Sequence, residues 1–281
     1  MPPANRFSRS SAKRGSGTKA CSNSLTDLPT GEIPISTGVA RLEVDRSGVT
    51  LFVNGVPSSY LDFQEPGFLG FEYFQVMTAI LDSQGTAPIR ALHLGAGGCA
   101  LARAWDYERP GSRQICVEID GELVTLVRKW FDLPRAPALR LRHQDAWEAV
   151  ESAHSASFDV VVRDLFVGDT TPSQFSSAAF TEQVARILKP SGLYLANVAD
   201  RPPLTATKRE LHTLNGCFAH TCAIAEVSVI AGKRFGNVVL AASNAPQDPF
   251  GNPALARTLR SLPLPARFLS VQDGPISARI R

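Results

Sequence analysis

The first patterned part of the chain consists of three short segments in which apolar and polar residues alternate, at residues 38–46, 49–53 and 56–61. Alternation with a period of two is typical of β-strands that bury one face. Turn residues separate the segments at 46–48 and at Asn54–Gly55, and Asn-Gly is a strong hairpin signal. The pattern therefore predicts a small antiparallel β-unit near the N-terminus.

A helical pattern follows this β-unit at residues 70–81. Its large apolar residues recur at helical spacing, and they are Phe71, Phe74, Met77 and Leu81. Residues three or four apart lie on one face of an α-helix. The segment is therefore predicted to be an amphipathic helix that packs on a core.

From residue 90 onward, patterns of buried strands alternate with helical patterns. The predicted strands cover residues 90–94, 113–118, 139–143, 158–163, 192–198, 222–229 and 236–242. The predicted helices cover residues 97–107, 121–131, 146–152, 178–188 and 206–214. Alternation of this kind specifies a parallel sheet with helices on both faces. The predicted fold class is therefore α/β, a Rossmann-like doubly wound sheet with the small β-unit at its N-terminus.

Composition divides the chain into four parts. Residues 1–35 are rich in Ser, Gly and Pro and are predicted to form a disordered basic tail. The β-hairpin unit is assigned to residues 36–66 and the Rossmann-like domain to residues 67–245. Residues 246–281 form a C-terminal extension with a short helix and several prolines, and the pattern assigns it no function.

The positive charge of the chain is concentrated in its first 25 residues. This stretch has no acid and contains Arg6, Arg9, Lys13, Arg14 and Lys19. Because the whole chain has a formal charge of +3, the remainder is close to neutral and has no basic stripe for nucleic acid. The tail shares its Ser and Arg content with transit peptides but lacks an amphipathic apolar face. A solvated tail, or a start codon placed too early, is therefore expected.

Several protein classes are not indicated by the sequence. No run approaches the roughly 18 apolar residues of a membrane span. The cysteines, which are Cys21, Cys99, Cys116, Cys217 and Cys222, form no CxxC pair. The hydrolase, metalloprotease and P-loop signatures are absent. We expect a soluble cytoplasmic protein with reduced thiols, no bound metal, and neither a membrane nor a nucleic acid as partner.

The residues after the strands are the candidates for ligand binding, because doubly wound sheets bind ligands beyond the carboxyl ends of their strands. The first strand is followed by Gly95-Ala96-Gly97, whose backbone can approach a ligand closely. Glu118 ends the second strand about 20 residues later, where an acid can accept hydrogen bonds from both ribose hydroxyls. Each feature alone also fits a plain turn or an exposed acid, but together they predict a nucleoside-type cofactor.

Two aspartates follow the next strands. Asp145 can contact an adenine amino group, or it can cap the helix at residues 146–152, and both interpretations remain open. Asp164 comes directly after the apolar strand at residues 158–163. A carboxylate at that place faces the crevice and is the best general-base candidate in the chain.

Two other residues fit a structural role. His93 lies inside a buried strand, where a packed core histidine is more common than a ligand. Tyr73 and its neighbouring phenylalanines have helical spacing, which usually indicates a core face.

These residues resemble the spermidine synthase (polyamine aminopropyltransferase) family, especially its divergent spermidine synthase-like branch. The resemblance runs from about residue 38 to residue 243. Besides the strand-end residues above, it includes Leu51-Phe52-Val53-Asn54-Gly55-Val56-Pro57, Phe71-Glu72-Tyr73, Leu188-Lys189-Pro190-Ser191-Gly192 and Gly236-Asn237-Val238-Val239. Members of this family share the class I methyltransferase fold.

The resemblance implies a cofactor, an acceptor and a set of site residues. The cofactor would be S-adenosylmethionine or its decarboxylated form, and the partner a small-molecule amine or other acceptor. Glu118 would hold the ribose, Asp145 and Ala146 the adenine edge, and Asp164 would be the catalytic acid-to-base residue. The implied cofactor site also includes Gly95, Ala96, Gly97 and Ile119, and the implied acceptor site contains Tyr73 and Asp169. A homodimer through the N-terminal β-unit is a further possibility that the family suggests.

The chain departs from the family pattern at three places. Gly98 stands where the glycine loop normally carries an Asp for the amino end of the cofactor. Leu165-Phe166-Val167 replaces the polar stretch after the catalytic Asp, so the second acid is lost unless Asp169 substitutes. Phe74 replaces a polar residue after Tyr73. A cationic diamine needs several carboxylates to replace its hydration, so these departures weaken the assignment of a polyamine substrate.

Four functions compete for this sequence. Aminopropyl transfer to an amine leads, and methyl transfer from S-adenosylmethionine to another acceptor uses the same cofactor site. A non-catalytic nucleoside-binding relative is the third. The glycines with Glu118 also fit an NAD fingerprint, but Asp145 and Asp164 are two sites that an NAD domain does not require.

Overall fold

A computed structural model describes residues 27–168 and 170–270. Its strands are β1 (Glu32–Ile35), β2 (Gly38–Val44), β3 (Gly48–Val53), β4 (Val56–Asp62), β5 (Arg90–Leu94), β6 (Arg113–Glu118), β7 (Leu139–His143), β8 (Phe158–Arg163), β9 (Leu188–Asp200), β10 (His220–Glu226), β11 (Gly236–Ser243) and β12 (Ala266–Phe268). Its α-helices are α1 (Glu72–Asp82), α2 (Ala100–Glu108), α3 (Gly121–Trp130), α4 (Ala146–Glu151), α5 (Ala178–Ile187), α6 (Thr205–Cys217), α7 (Val227–Ile230) and α8 (Pro253–Arg260).

Strands β1 to β4 form an antiparallel sheet in chain order, as the alternating pattern predicts. Its tight turn at Asn54–Gly55 has both residues at positive φ, which suits Asn-Gly. Strand β1 lies within the range assigned to the tail, because Glu32–Ile35 pairs with β2 and so continues the sheet by one strand. The rest of the tail, residues 1–26, lies outside the described residues.

The large sheet has eight strands in the order β12-β10-β11-β9-β8-β5-β6-β7. Its five strands from β9 to β7 are parallel, whereas β11, β10 and β12 each pair antiparallel. The prediction of a parallel sheet was therefore wrong for the edge formed by β11, β10 and β12. Only residues 227–235 separate β10 from β11, and a parallel crossover needs a dozen or more residues. The two strands consequently pair as a hairpin.

Side chains on the two faces of the large sheet enter two separate cores. Val160 and Val162 of β8 pack on the face covered by α1, α2, α3 and α8, whereas Val161 packs on the face covered by α4, α5 and α6. A strand buried on both faces explains the continuous apolar run that the sequence shows there. The confirmed fold class is thus a Rossmann-like doubly wound sheet with an N-terminal β-unit.

Element boundaries differ from the predicted ones at three places. Helix α2 begins at Ala100 rather than 97, because Gly97 and Cys99 both have positive φ. Strand β10 ends at Glu226, and the residues expected to extend it form the short helix α7. In the C-terminal extension, β12 pairs with β10 and adds an edge strand to the large sheet. Within the described residues, no helix is long and apolar enough to cross a membrane.

Candidate active site at the carboxyl edge of the sheet

The strand order places the candidate residues at one edge of the large sheet. The chain runs outward from β5 to β6 and β7, then returns to β8 on the other side of β5. This reversal makes the carboxyl end of β5 a topological switch point, where doubly wound sheets bind ligands. The glycine loop leaves the sheet there.

The glycine loop and Asp164 are in direct backbone contact. The Asp164 N–H donates to the Leu94 carbonyl at 2.8 Å. A Cβ atom on Gly95 would lie 2.2 Å from the Asp164 carbonyl oxygen, so only glycine permits this approach. Gly95 and Gly97 both have positive φ, which a glycine adopts without strain. The loop is therefore held beside the catalytic candidate by its backbone.

Glu118 is tied to the same loop. Its Oε2 accepts a hydrogen bond from the Gly97 N–H at 3.1 Å, and its Oε1 accepts one from the Asp120 N–H at 3.2 Å. Burial raises the pKa of Glu118, and these N–H groups oppose that shift. The neighbouring Ile119 side chain is 55% exposed, so it is free to cover a flat ligand. The structure thus brings Glu118, Ile119 and the glycine loop together.

Asp145 caps helix α4, which was one of its two predicted roles. Its Oδ1 accepts hydrogen bonds from the Trp147 N–H at 2.7 Å and the Glu148 N–H at 3.2 Å. In the part of the chain that is described, its Oδ2 has no hydrogen-bond donor. Ala146 is buried as the first residue of the helix. The cap therefore leaves one carboxylate oxygen available for a ligand.

Asp164 receives two side-chain hydrogen bonds. The Tyr73 hydroxyl donates to Oδ2 at 3.0 Å, and Asn197 Nδ2 donates to Oδ1 at 2.9 Å. Burial raises the pKa of Asp164, whereas both hydrogen bonds and the nearby Arg163 charge lower it. Burial and the Asp164 carboxylate together raise the pKa of Tyr73, which keeps its hydroxyl a donor. The site therefore holds a half-buried carboxylate whose two oxygens are both oriented by hydrogen bonds.

Tyr73 and Asn197 are the two side chains that orient Asp164. Tyr73 is buried, as helical spacing suggested, but its hydroxyl also reaches Asp164. Asn197 was missed by the sequence reasoning. The signal for it was a lone amide inside the apolar strand β9, where 2% of the residue is exposed.

A buried ion pair supports the site from the opposite face of the sheet. Arg163 is fully buried, and its Nη2 lies 2.8 Å from Glu210 Oε1 of α6. The same nitrogen donates to the Asn197 carbonyl at 3.2 Å, while Nη1 donates to the Phe175 carbonyl at 3.3 Å. Removing one partner of such a pair would leave an uncompensated buried charge. Arg163 therefore fixes the backbone of β9 at Asn197.

The surroundings of Asp164 are partly apolar. Phe74 is buried and helps to line a cavity of about 20 Å³ that also reaches Gly95, Ala96 and Asp164. Val167, in the turn after Asp164, is 75% exposed. Asp169, which was the candidate for a second acid, lies outside the described residues.

Glu72 is the other acid on this side. It precedes Tyr73 on α1, and its Oε1 accepts a hydrogen bond from Asn237 Nδ2 at 3.3 Å. The same oxygen lies 3.9 Å from Arg234 Nη2, so an arginine partly neutralises it.

The N-terminal sheet packs directly on the segment that follows the glycine loop. Ser59 Oγ of β4 accepts a hydrogen bond from the Gly98 N–H at 2.8 Å. A Cβ atom on Gly98 would lie 2.8 Å from the Ser59 Cβ atom. Thr37 donates from its N–H and its hydroxyl to Asp120 Oδ2, at 2.6 and 2.8 Å. Ser59 therefore occupies the space into which a side chain at position 98 would project.

His93 is a core residue, as its position in a buried strand suggested. It is 4% exposed, and its Nε2 lies 2.9 Å from Gln114 Oε1. Burial lowers its pKa to about 4. Across residues 27–168 and 170–270, no group of three or more His, Cys, Asp or Glu side chains is arranged to hold a metal ion.

The strand order and the acids at its carboxyl edge define a class I methyltransferase fold. No model of a known protein family matches the chain. A solved structure of a probable spermidine synthase from Corynebacterium glutamicum superposes with a TM-score of 0.80 at 35% identity, covering 86% of this chain and 90% of that one. The chain therefore belongs to the spermidine synthase-like family.

Curated relatives of two kinds match parts of the chain. The polyamine aminopropyltransferase of Chromobacterium violaceum is 26% identical over 146 residues, which are 50% of this chain and 53% of that protein. The eEF1A lysine and N-terminal methyltransferase of Danio rerio is 27% identical over 184 residues, which are 60% of this chain and 24% of that protein. The chain thus spans about half the length of the aminopropyltransferase and about a quarter of the length of the methyltransferase.

Proposed function

We propose that the protein transfers an aminopropyl group from decarboxylated S-adenosylmethionine to an amine. The observation that carries this proposal is the Asp164 carboxylate, half-buried at the switch point and oriented by Tyr73 and Asn197. A general base must lie within hydrogen-bond reach of the proton that it takes, and a carboxylate held at the switch point is placed for that role. Membership of the spermidine synthase-like family supports this choice of reaction class.

The reaction needs one nucleophile, one base and one leaving group. The amine nitrogen forms a bond to the aminopropyl carbon next to the sulfonium, the carbon–sulfur bond breaks, and methylthioadenosine leaves. The amine loses one proton, which Asp164 accepts. Only a neutral amine is nucleophilic, so a carboxylate that takes or orients this proton assists the displacement. Alignment of the reacting atoms supplies much of the remaining rate.

The residues near the glycine loop fit the nucleoside half of this cofactor. Glu118 would accept the ribose hydroxyls, and the exposed Ile119 would cover one adenine face. The free oxygen of Asp145 would accept from the adenine amino group while its other oxygen continues to cap α4. The close approach of Gly95 to the Asp164 backbone would let the sulfonium lie near Asp164.

Methyl transfer from S-adenosylmethionine is the second candidate, and the contact between Gly98 and Ser59 favours it. No carboxylate projects from position 98 toward the cofactor's amino end, because Gly98 has no side chain and Ser59 covers it. A carboxylate there would attract the free amino group of the decarboxylated cofactor and repel the carboxylate of the intact one. A relative of the chain is also named as a methyltransferase.

The product nucleoside decides between the candidates. The protein would be incubated with each cofactor form and with putrescine, spermidine or a simple monoamine, and the nucleosides separated by chromatography. Methylthioadenosine that depends on the amine supports aminopropyl transfer, whereas S-adenosylhomocysteine supports methyl transfer. If neither forms, thermal-shift measurements with both cofactors, methylthioadenosine and NAD identify a non-catalytic binding protein and its ligand.

A further inference from the structure

Arg163 is a fully buried cation at the end of an otherwise apolar strand. It follows three buried valines in β8, where an apolar residue would continue the core. Its Nε has less than 1 Å² of exposed surface and, within the described residues, no hydrogen-bond partner. Replacing a buried ion pair by apolar residues of similar volume is often neutral or stabilising. Stability alone therefore does not account for an arginine at this position.

The Arg163 guanidinium holds the backbone of two segments next to the candidate base. Its Nη2 donates to the Asn197 carbonyl at 3.2 Å, and its Nη1 donates to the Phe175 carbonyl at 3.3 Å. Asn197 also supplies the amide that donates to Asp164 Oδ1. Phe175 lies in the short 3-10 helix at Ser173–Ser176, which follows β8 along the chain. One planar group thus joins β8, β9 and this helix behind Asp164.

Arg163 acts on Asp164 from the opposite face of the sheet. Successive side chains of a strand point to opposite faces, so Arg163 shares the face of Val161, whereas Asp164 meets Tyr73 of α1. Burial raises the pKa of Asp164, and the hydrogen bonds from Asn197 and Tyr73 and the charge of Arg163 oppose that shift. The arginine charge therefore favours the ionised form of the carboxylate.

The other titratable groups that face Arg163 keep its charge in place. Glu210 Oε1 of α6 lies 2.8 Å from its Nη2, and Arg209 is the further charge near Glu210. Tyr194 of β9 is buried close to the guanidinium, and burial raises the pKa of Tyr194, so this phenol stays neutral. A guanidinium is not deprotonated in proteins. Arg163 is therefore a permanent cation that Glu210 holds at one position.

We propose that Arg163 is a positioning residue of the reaction: from behind the sheet, it fixes the Asp164 carboxylate and keeps it ionised. This inference rests on the proposed function. A general base must stay within hydrogen-bond reach of the proton that it takes, and a misplacement of about 1 Å can lower a rate about 100-fold. Arg163 acts through the Asn197 backbone and through its charge, because its side chain lies on the other face of the sheet.

The test replaces the ion pair as a whole, in Arg163→Met/Glu210→Leu. The two apolar side chains leave no single buried charge behind, so this protein is expected to fold and to melt near the wild-type temperature. We expect kcat for methylthioadenosine formation to fall about 10- to 100-fold. The acidic limb of the kcat profile should move to higher pH, because Asp164 loses a neighbouring positive charge. The affinity for methylthioadenosine should stay within about twofold of wild type, since only uniform binding would change it.

Arg163→Lys is the matched variant. Lysine keeps the charge and the pairing with Glu210, but it lacks the planar fork that holds two carbonyl groups. The acidic limb should therefore remain at the wild-type pH, while kcat falls about three- to tenfold because the backbone at Asn197 and Phe175 is held less firmly. If the double variant does not fold, Arg163→Lys carries the test.

Three results would overturn the inference. The first is a kcat of Arg163→Met/Glu210→Leu that equals the wild-type value, because the ion pair would then serve only the fold. The second is a lower kcat with an unmoved acidic limb, since a general loss of packing would then explain the change. The third is a wild-type kcat in Arg163→Lys, because the two carbonyl contacts would then be dispensable.

A measurement without turnover separates failure of this inference from failure of the proposed function. If wild type forms no methylthioadenosine, the proposed function fails, and the Asp164 carboxyl group is titrated by NMR in protein labelled with carbon-13 at the aspartate carboxyl carbons. The signal that is missing in Asp164→Asn identifies this group. A higher midpoint in the double variant, with a wild-type midpoint in Arg163→Lys, supports the inference in that case. Equal midpoints in wild type and the double variant overturn it.

Discussion

The Tyr73 hydroxyl donates a hydrogen bond to Asp164 Oδ2 at 3.0 Å, although 91 residues separate the two in sequence. This contact joins the first helix of the large domain to the carboxyl edge of β8. A tyrosine that sequence periodicity places in a core face thereby also lowers the pKa of the candidate base.

The first prediction concerns the pH dependence of the reaction. A general base works in its ionised form, so activity falls as the pH drops through the pKa of Asp164. Burial raises this pKa and the Tyr73 hydrogen bond lowers it. Tyr73→Phe should therefore move the acidic limb of the kcat/KM profile to higher pH, because the carboxylate loses a hydrogen bond that favours its charged form. An unmoved limb, or one moved to lower pH, would contradict the assignment of Asp164.

The second prediction concerns stability and His93. Burial lowers the pKa of His93 to about 4, whereas an unfolded histidine titrates near 6.5. The unfolded state therefore binds more protons in this range, and stability falls as the pH drops from about 6.5 toward 4. In His93→Gln the loss of unfolding free energy between pH 7.5 and 4.5 should be smaller by roughly 2–3 kcal/mol. Urea unfolding at both pH values measures it, and equal losses in the two proteins would refute it.

The third prediction separates the two roles of Asp145. Asparagine caps a helix as well as aspartate does, but it lacks the carboxylate. Asp145→Asn should keep the melting temperature of the wild type and weaken nucleoside binding about tenfold, because a charged hydrogen-bond acceptor is lost. Asp145→Ala should lose both the helix cap and the nucleoside contact, and its free energy of unfolding should be about 1 kcal/mol lower. The affinity for methylthioadenosine is measured by calorimetry. Wild-type affinity in Asp145→Asn would refute the nucleoside contact and leave the helix cap as the role of Asp145.

The fourth prediction concerns the contact between Gly98 and Ser59. A Cβ atom at position 98 would lie 2.8 Å from the Ser59 Cβ atom, closer than real Cβ contacts. Gly98→Ala should therefore lower the melting temperature by several degrees, in keeping with about 1–3 kcal/mol for overpacking. Adding Ser59→Gly should restore part of the loss, although Ser59→Gly alone should destabilise. Equal melting temperatures for wild type and Gly98→Ala would contradict this prediction, because the N-terminal sheet would then shift to accommodate the added methyl group.

Much of the fold follows from local pattern. The Asn54–Gly55 hairpin and the alternation of strands and helices after residue 90 predict both sheets. The direction of β10 and β11 was not predictable from periodicity, because parallel and antiparallel core strands have similar apolar runs. The length of the connection at residues 227–235 decides it.

Among the residues of the candidate site, only those that follow the end of a strand were predictable from the sequence. Glu118, Asp145 and Asp164 stand at such positions, and the topology of a doubly wound sheet brings them to one edge. Asn197 lies three residues inside β9 and has no strand-end signal. Its role arises from the pairing of β9 with β8, which is a tertiary relationship. The contact between Gly98 and Ser59 was not predictable either, because it depends on how the N-terminal sheet packs against the large domain.

The central claim is that Asp164 is the base of an amine transfer, and Asp164→Asn tests it most directly. Asparagine preserves the shape of the side chain but accepts no proton. The claim predicts that methylthioadenosine formation from decarboxylated S-adenosylmethionine and an amine falls by about 100- to 10,000-fold, while calorimetry gives a nucleoside affinity within about twofold of wild type. Turnover within about threefold of wild type, in a variant with the wild-type melting temperature, would contradict the claim.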